Sequence, residues 1–345
     1  MSKTILITGG MGFIGSNFIR FYLQVHPEDR LVNLDKLTYS ANPENLNDLS
    51  SNPRYRFIQG DILDENLLRR LARELTVHSV VHFAAESHVD RSIQGSKEFI
   101  QTNVLGTHTL LEVFKQYWDD TRDADPDFRF LHISTDEVYG ALGREGLFTE
   151  ETPFHPNSPY SASKAGADLL VRAYFETYGL PTLIVRPSNN YGPFQFPEKY
   201  IPLMITNLLE GETIPVYGRG ENIRDWLFVE DTCRAIDQIL TRGRTGEAYN
   251  IGGESERPNV EVARQVLSLL KKGEENLRFV TDRPGHDFRY ALNNDKITKE
   301  IGWRPAVKFS EGLSRTVRWY QDNAGWWKPL KERLKRESQG FWSKA

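Results

Sequence analysis

Along the first half of the chain, short apolar runs alternate with longer stretches in which apolar residues return every three or four positions. The runs are Thr4 to Thr8, Leu31 to Asp35, Tyr55 to Ile58, Ser79 to Ala84, Phe130 to Ser134 and Thr182 to Arg186. They are nearly continuous in apolar character, as strands buried on both faces of a parallel sheet must be. Between them, Phe18, Tyr22 and Val25, and then Leu67, Leu68, Leu71 and Leu75, fall at helical spacing, so each connection buries one face of a helix. Together these patterns predict an α/β fold, a doubly wound parallel sheet with helices on both faces.

The texture changes after Arg186. Pro187, Pro193, Pro197, Pro202 and Pro215 arrive with Gly192, Gly211, Gly218 and Gly220 and punctuate short elements, which predicts a smaller mixed α/β unit. Asp231 to Leu240 reads as a helix and Glu247 to Ile251 as another strand, so the chain is expected to return to the sheet. The expected division is 1–187, re-entered at about 225–253, then 188–224 and 254–325 for the smaller unit, and 326–345 as a helical tail. The acidic stretch Asp119 to Asp127 reads as a solvated loop, and Lys328 to Lys335 as a solvated helix face held down by Trp326, Trp327 and Trp342.

Composition narrows the partner. Lys plus Arg number 43 against 47 Asp plus Glu, a net charge of -4, which offers no general grip on nucleic acid or anionic lipid. Cys233 is the single cysteine, so a disulfide framework or a cysteine metal cluster is excluded. No leader pattern and no apolar run of membrane-spanning length is seen, and the expectation is a soluble, cytoplasmic protein with a small-molecule partner.

Gly9, Gly12 and Gly15 follow the first strand and open the first helix. A tight turn, close backbone approach and free helix N-terminal amides suit a pyrophosphate there. Asp35 ends the second strand 20 residues on (35 minus 15), where a carboxylate can accept from ribose hydroxyls and repel a 2′-phosphate. NAD is therefore expected over NADP in a Rossmann-type site. Asp61 and Ile62, after the third strand, stand where an adenine could be flanked, and Phe83, Ala84 and Ala85 end the fourth strand with little bulk.

Tyr160 and Lys164, four apart on a helix, share a face. A lysine cation beside the phenol favours phenolate, so Tyr160 could take a proton from a sugar hydroxyl as hydride leaves. Thr135, Asp136 and Glu137 end the fifth strand. Thr135 can hydrogen-bond the reacting hydroxyl, and two adjacent carboxyl groups can divide acid and base work if one is protonated and the other ionised.

With Tyr160-Ser161-Ala162-Ser163-Lys164, Thr135-Asp136-Glu137, Ala84 to Ser92, Ser188 to Pro193, Ile223 to Trp226 and Asp282 to Asp287, the chain resembles the extended short-chain dehydrogenase/reductase superfamily. Within its nucleotide-sugar branch it is similar to the dTDP-glucose 4,6-dehydratase family. The resemblance implies NAD as a retained cofactor, dehydration of dTDP-glucose to dTDP-4-dehydro-6-deoxyglucose, and a homodimer. In the implied reaction Tyr160 acts at C4, Glu137 at C5 and Asp136 on the departing C6 hydroxyl. It adds Phe13, Ile14, Lys36, Thr38, Ser87, Thr102 and Asn190 to the cofactor site. It adds Ser87, Asn189, Lys199, Pro215, Tyr217, Arg224, Asn250, Arg283, His286 and Tyr290 to the substrate site. A 4,6-dehydratase of another nucleotide-sugar such as UDP-glucose, and a C4 epimerase, remain as alternatives. Leu142 to Leu147 is short for this family.

Overall fold

The structure is a computed structural model, and it describes residues 2–282 and 285–337. In chain order the strands are β1 (Thr4–Thr8), β2 (Arg30–Asp35), β3 (Tyr55–Gln59), β4 (Ser79–His82), β5 (Arg129–Ile133), β6 (Thr182–Pro187), β7 (Asn189–Tyr191), β8 (Ile214–Tyr217), β9 (Ile223–Phe228), β10 (Ala248–Ile251), β11 (Glu256–Pro258) and β12 (Leu277–Val280). Seven of them form one sheet in the order β10-β6-β5-β4-β1-β2-β3, every neighbouring pair parallel. Strand order reverses between β1 and β4, and a crevice opens there beyond the carboxyl ends.

The unbroken apolar runs have a direct cause. Ile5 and Ile7 of β1 pack with Phe18 and Ile19 of the helix Phe13–Val25 and with Ile236 of the helix Val229–Arg242. Leu6, between them, packs on the other face with Leu68 of the helix Glu65–Leu75 and with Leu110 and Phe114 of the helix Thr107–Thr121. Both faces of β1 are dry, so neither could carry polar residues.

The smaller region is built from β11-β9-β7 and β12-β8. Its core joins Met204, Ile205, Trp226, Phe228, Val262 and Leu313. The border differs from the expected division in two places. β9 pairs with β7 and β11 before the chain returns through the helix Val229–Arg242 to β10. Ile297, Ile301 and Trp303, expected in the smaller unit, are buried with the large sheet's core.

Two polar stretches also differ from expectation. The helix Thr107–Thr121 runs on through Asp119 and Asp120, so the acidic stretch is only in part a loop. In the helix Ala324–Glu337, Lys331 is buried and lies 2.8 Å from Glu210, so that face is not wholly solvated. Trp327 is buried and Trp326 donates to Asn45 Oδ1 at 2.9 Å, while Trp342 lies outside the described residues. The short segment after Leu142 is pinned by bridges Leu142 to Arg289 and Phe148 to Leu292. No helix among the described residues is long and apolar enough to cross a membrane.

Candidate active site

A cleft of about 1550 Å³, counting its open mouth, runs along the carboxyl edge of the large sheet. Gly9, Gly12, Phe13, Ile14, Gly15, Asp35, Lys36, Thr38, Asp61, Ile62, Phe83, Ala84, Ala85, Ser87, Thr102, Tyr160, Lys164 and Asn190 all line it, as do Thr135, Asp136, Glu137, Asn189 and Lys199.

The glycines fall into two kinds. Gly9 has φ +75°, and a Cβ there would sit 2.5 Å from the Ala84 nitrogen; a Cβ on Gly15 would sit 2.6 Å from the Gly9 oxygen. These two are required by the protein's own packing. Gly12 is different, since a Cβ there would meet only the Gly9 oxygen, at 3.3 Å. It is the N-cap of the helix Phe13–Val25, with no side-chain cap and no acidic residue in the first turn. That leaves a bare positive helix end over open cleft, a cradle for an anionic group.

Asp35 accepts hydrogen bonds from Met11 N–H (2.9 Å) and Leu37 N–H (2.8 Å), so it shapes the turn as well as lining the cleft. Burial raises its pKa, against those two bonds. Lys36 pairs with Asp61 at 2.7 Å, which occupies a cation beside the ribose position. Thr102 lies on a π-helical stretch, Ile100–Gly106, a widened turn that often marks functional positions.

Thr135 caps the turn Asp136–Tyr139, accepting from Glu137 N–H at 3.3 Å. This places the two carboxyl groups in different surroundings. Asp136 is buried, and its carboxyl is held well above the usual carboxylate range by burial first, then by Glu137 and Asp225. Glu137 is half-buried at the cleft wall. The pair thus divides into Asp136, whose burial favours the protonated form, and the more accessible Glu137.

The Tyr160 phenol is pushed up by burial and then by Glu137, while its hydrogen bond with Thr135 works the other way. In the protein alone the phenol therefore stands above its usual range, whereas the lowering expected of Lys164 belongs to the lysine together with the positive nicotinamide ring. Lys164 is itself held down to about 8 by burial, against the pull of Asp168, and its ammonium donates to the Ile133 carbonyl at 2.7 Å.

The substrate residues divide. Lys199 spans the cleft and donates to the Ser87 carbonyl at 2.8 Å. Pro215, Tyr217, Arg224, His286 and Tyr290 are not among the residues that line the cleft; Arg224 and Tyr290 form one pair and Tyr217 and His286 another. Arg224 donates to the Asp287 carbonyl at 3.0 Å and stacks over Tyr290 at 4.4 Å, Tyr290 donates to Asp287, and the Tyr217 and His286 rings meet edge-on at 6.0 Å. Arg224 acts electrostatically on Asp136, and Glu137 on Tyr290, so the first of these pairs abuts the two carboxyl groups. Arg283 lies outside the described residues. Asn250 is a correction: it is fully buried in the sheet, accepting from Tyr139 Oη at 2.8 Å and donating to the Phe148 carbonyl at 3.2 Å, and it is not among the residues that line the cleft. Asn190 is also committed, accepting from Thr232 and donating to the Ser188 carbonyl.

Sequence reasoning missed Ser40, Gln195 and Phe196, which line the cleft from loops with no motif. Ser134 Oγ, Asp136 Oδ2, Asn189 Oδ1 and Gln195 Oε1 are buried without a protein partner, and all four residues line this one cleft. Buried polar atoms ordinarily find partners in protein, water or ligand, so four such atoms on residues of one cleft suit a polar occupant.

The family described as GDP-mannose 4,6 dehydratase matches residues 6–316. The dTDP-glucose 4,6-dehydratase of Xanthomonas campestris pv. campestris strain B100 is 54% identical over 336 residues, covering 94% of each chain. The chain belongs to the dTDP-glucose 4,6-dehydratase family. Among solved structures, the Bacillus anthracis dTDP-glucose 4,6-dehydratase in complex with NAD superposes with a TM-score of 0.88 at 50% identity, covering 95% of this chain and all of that one. The Streptomyces venezuelae dTDP-glucose 4,6-dehydratase with NAD and TYD bound gives 0.89 at 51%, covering 95% and 99%.

Proposed function

We propose that this chain is an NAD-dependent dTDP-glucose 4,6-dehydratase, converting dTDP-glucose to dTDP-4-dehydro-6-deoxyglucose and water. One observation carries the reading beyond the family: a buried Asp136, whose surroundings favour the protonated form, adjoins the half-buried Glu137 and acts with it on Tyr160 in the lining of one cleft. A C4 epimerase needs only the tyrosine and a hydride acceptor, whereas elimination of water needs a base at C5 and an acid at the C6 hydroxyl. The cradle at Gly12, the ribose position at Asp35 and the small residues Ala84 and Ala85 fit a dinucleotide.

When bound, NAD supplies hydride acceptance at C4, hydride return at C6 and a positive ring beside the phenol. Tyr160 takes the C4 hydroxyl proton, with Thr135 holding that hydroxyl. The 4-keto group acidifies C5–H, and Glu137 removes that proton. Asp136 then gives its proton to the C6 hydroxyl, which leaves as water, and a proton returns to C5 as hydride reaches C6. The sugar loses one water and the cofactor ends unchanged, and passage of the proton Tyr160 took, by way of solvent, to replace the one Asp136 gave returns both groups to their starting states. Lys199 and Arg224 provide cationic charge for the substrate's phosphates after rearrangement of their present bonds.

The chain acts as a homodimer in this reading. Leu105 and Leu169 are 50% and 57% exposed on neighbouring helices, with Ile100 at 45%, an apolar face suited to a second copy. The buried free thiol Cys233 fits a reducing cytoplasm. Incubation with dTDP-, UDP-, CDP- and GDP-glucose tests the substrate: a 4-keto-6-deoxy product from dTDP-glucose alone or foremost is expected. Formation of dTDP-galactose would refute dehydration.

A further inference from the structure

Beneath the catalytic lysine lies a buried polar layer that the proposed reaction does not use. The Lys164 Nζ is 3.3 Å from His132 Nε2, and the same ring nitrogen is 3.5 Å from Asp168 Oδ1. Asp168 Oδ2 accepts from Arg186 Nε at 2.8 Å, and Arg186 Nη1 donates to Tyr139 Oη at 2.7 Å. Lys164, His132, Asp168 and Arg186 are all at most 5% exposed. Asp168 follows Lys164 by four residues on one helix, while His132 comes from β5 and Arg186 from β6, so three elements converge on the lysine.

We propose that His132 and Asp168 are positioning residues for Lys164, the imidazole fixing where its ammonium stands and the carboxylate supplying the buried counter-charge that keeps it protonated. The inference rests on the Tyr160 role proposed above, in which a charged Lys164 beside the phenol favours phenolate once the cofactor's positive ring is also in place. Its logic is electrostatic. An ammonium removed from water is costly unless paired, and Asp168 is the carboxylate acting on it. Arg186 competes for that carboxylate from β6. On the remaining side stands the second imidazole, His82 of β4, held by Thr8 at 2.7 Å and Thr107 at 3.0 Å. Burial first, and Lys164 next, keep both imidazoles below their usual range and therefore neutral. Asp136 and Glu137 act on the neighbouring Tyr160, and so, more weakly, does Asp168 itself. The Ile133 carbonyl and the His132 ring together fix two directions around Nζ, leaving the third N–H of the ammonium for the cleft that Lys164 lines.

The test uses the full-length enzyme with NAD and dTDP-glucose, reading turnover against pH. In Asp168→Asn the lysine loses its counter-charge and gives up its proton more readily, so the alkaline limb of kcat moves to lower pH by about one unit. An unmoved limb in the folded variant overturns the proposal. Because Asp168→Asn also strands Arg186 and can fail to fold, a neutral pair runs beside it. His132→Asn places its amide short of the Nε2 position and is expected to lower kcat about tenfold with KM unchanged, and His132→Gln, whose amide reaches that position, to restore turnover to within about threefold of the parent. Equal rates for the Asn and Gln variants overturn the positioning role. Tyr160→Phe separates the two readings. If it retains turnover, the Tyr160 assignment fails; if it is inactive while the His132 and Asp168 variants keep the parent's rate and pH profile, only the positioning proposal fails.

Discussion

The two halves of the cleft are made differently. The cofactor half is main chain: a glycine turn, a helix end, and strand ends whose small residues let a ligand lie against the sheet. The half proposed for substrate is side chains delivered from scattered elements, with Lys199 reaching across the cleft to Ser87 and, adjoining the cleft, Arg224 and Tyr290 both reaching to Asp287. A main-chain site is preformed, because its donors are fixed by the fold. A side-chain site in which Lys199 and Arg224 already have protein acceptors must exchange those bonds to take a phosphate there, and that exchange can be selective.

The sharpest way to break this contrast is at the boundary between the halves, where the carboxyl pair stands. Glu137→Gln is expected to lower dehydration about 10³-fold while enzyme-bound NADH still forms on mixing with substrate. Normal turnover would remove Glu137 from the reaction.

Asp136→Asn should lower turnover about 10²-fold and raise Tm at neutral pH. The sign follows from its raised folded pKa: the stabilisation from holding a proton is fully present at low pH and is lost as pH rises through the folded value. Above that value a charge is buried beside Glu137 and Asp225, and the amide removes it. Thermal melts across pH check this, and a lower Tm for the variant at alkaline pH would contradict it.

In the cofactor half, Gly12→Ala should fold normally and bind NAD about tenfold more weakly, the cost of about 1.4 kcal/mol of lost approach. Gly9→Ala should instead lose roughly 2 kcal/mol of stability or more, because its backbone is left-handed and its Cβ would meet Ala84. Titration with NAD and thermal melting separate the two; equal behaviour would mean that Gly12 is packing, not cradle. The smallest effect on chemistry is expected from Leu105→Glu with Leu169→Glu, which should shift sedimentation to a monomer while altering turnover less than the changes above.

The same contrast explains what could be read in the sequence. The glycine turn, Asp35, the strand-end Thr135-Asp136-Glu137 and the Tyr160–Lys164 spacing are local patterns whose geometry follows from a strand, a turn or one helical turn. Gln195 and Phe196 reach the cleft from an irregular segment and carry no spacing signal. The family resemblance alone puts Asn250 at the substrate, and the sheet register, Asn250 beside Arg186, shows it buried instead. His132 and Asp168 had a partial signal, a polar residue inside an apolar strand and a carboxylate one turn beyond the lysine. Their meeting depends on β5 lying beside the helix Pro159–Tyr178, a tertiary fact.

The central claim is that oxidation at C4 serves elimination across C5 and C6 within one cleft. Its most direct test is turnover of dTDP-glucose deuterated at C4. The account predicts a 4-keto-6-deoxy product carrying the label at C6, since hydride leaves and returns within the same active site. Label remaining at C4 of an unreduced hexose, or a dehydrated product with no label at C6, would contradict it.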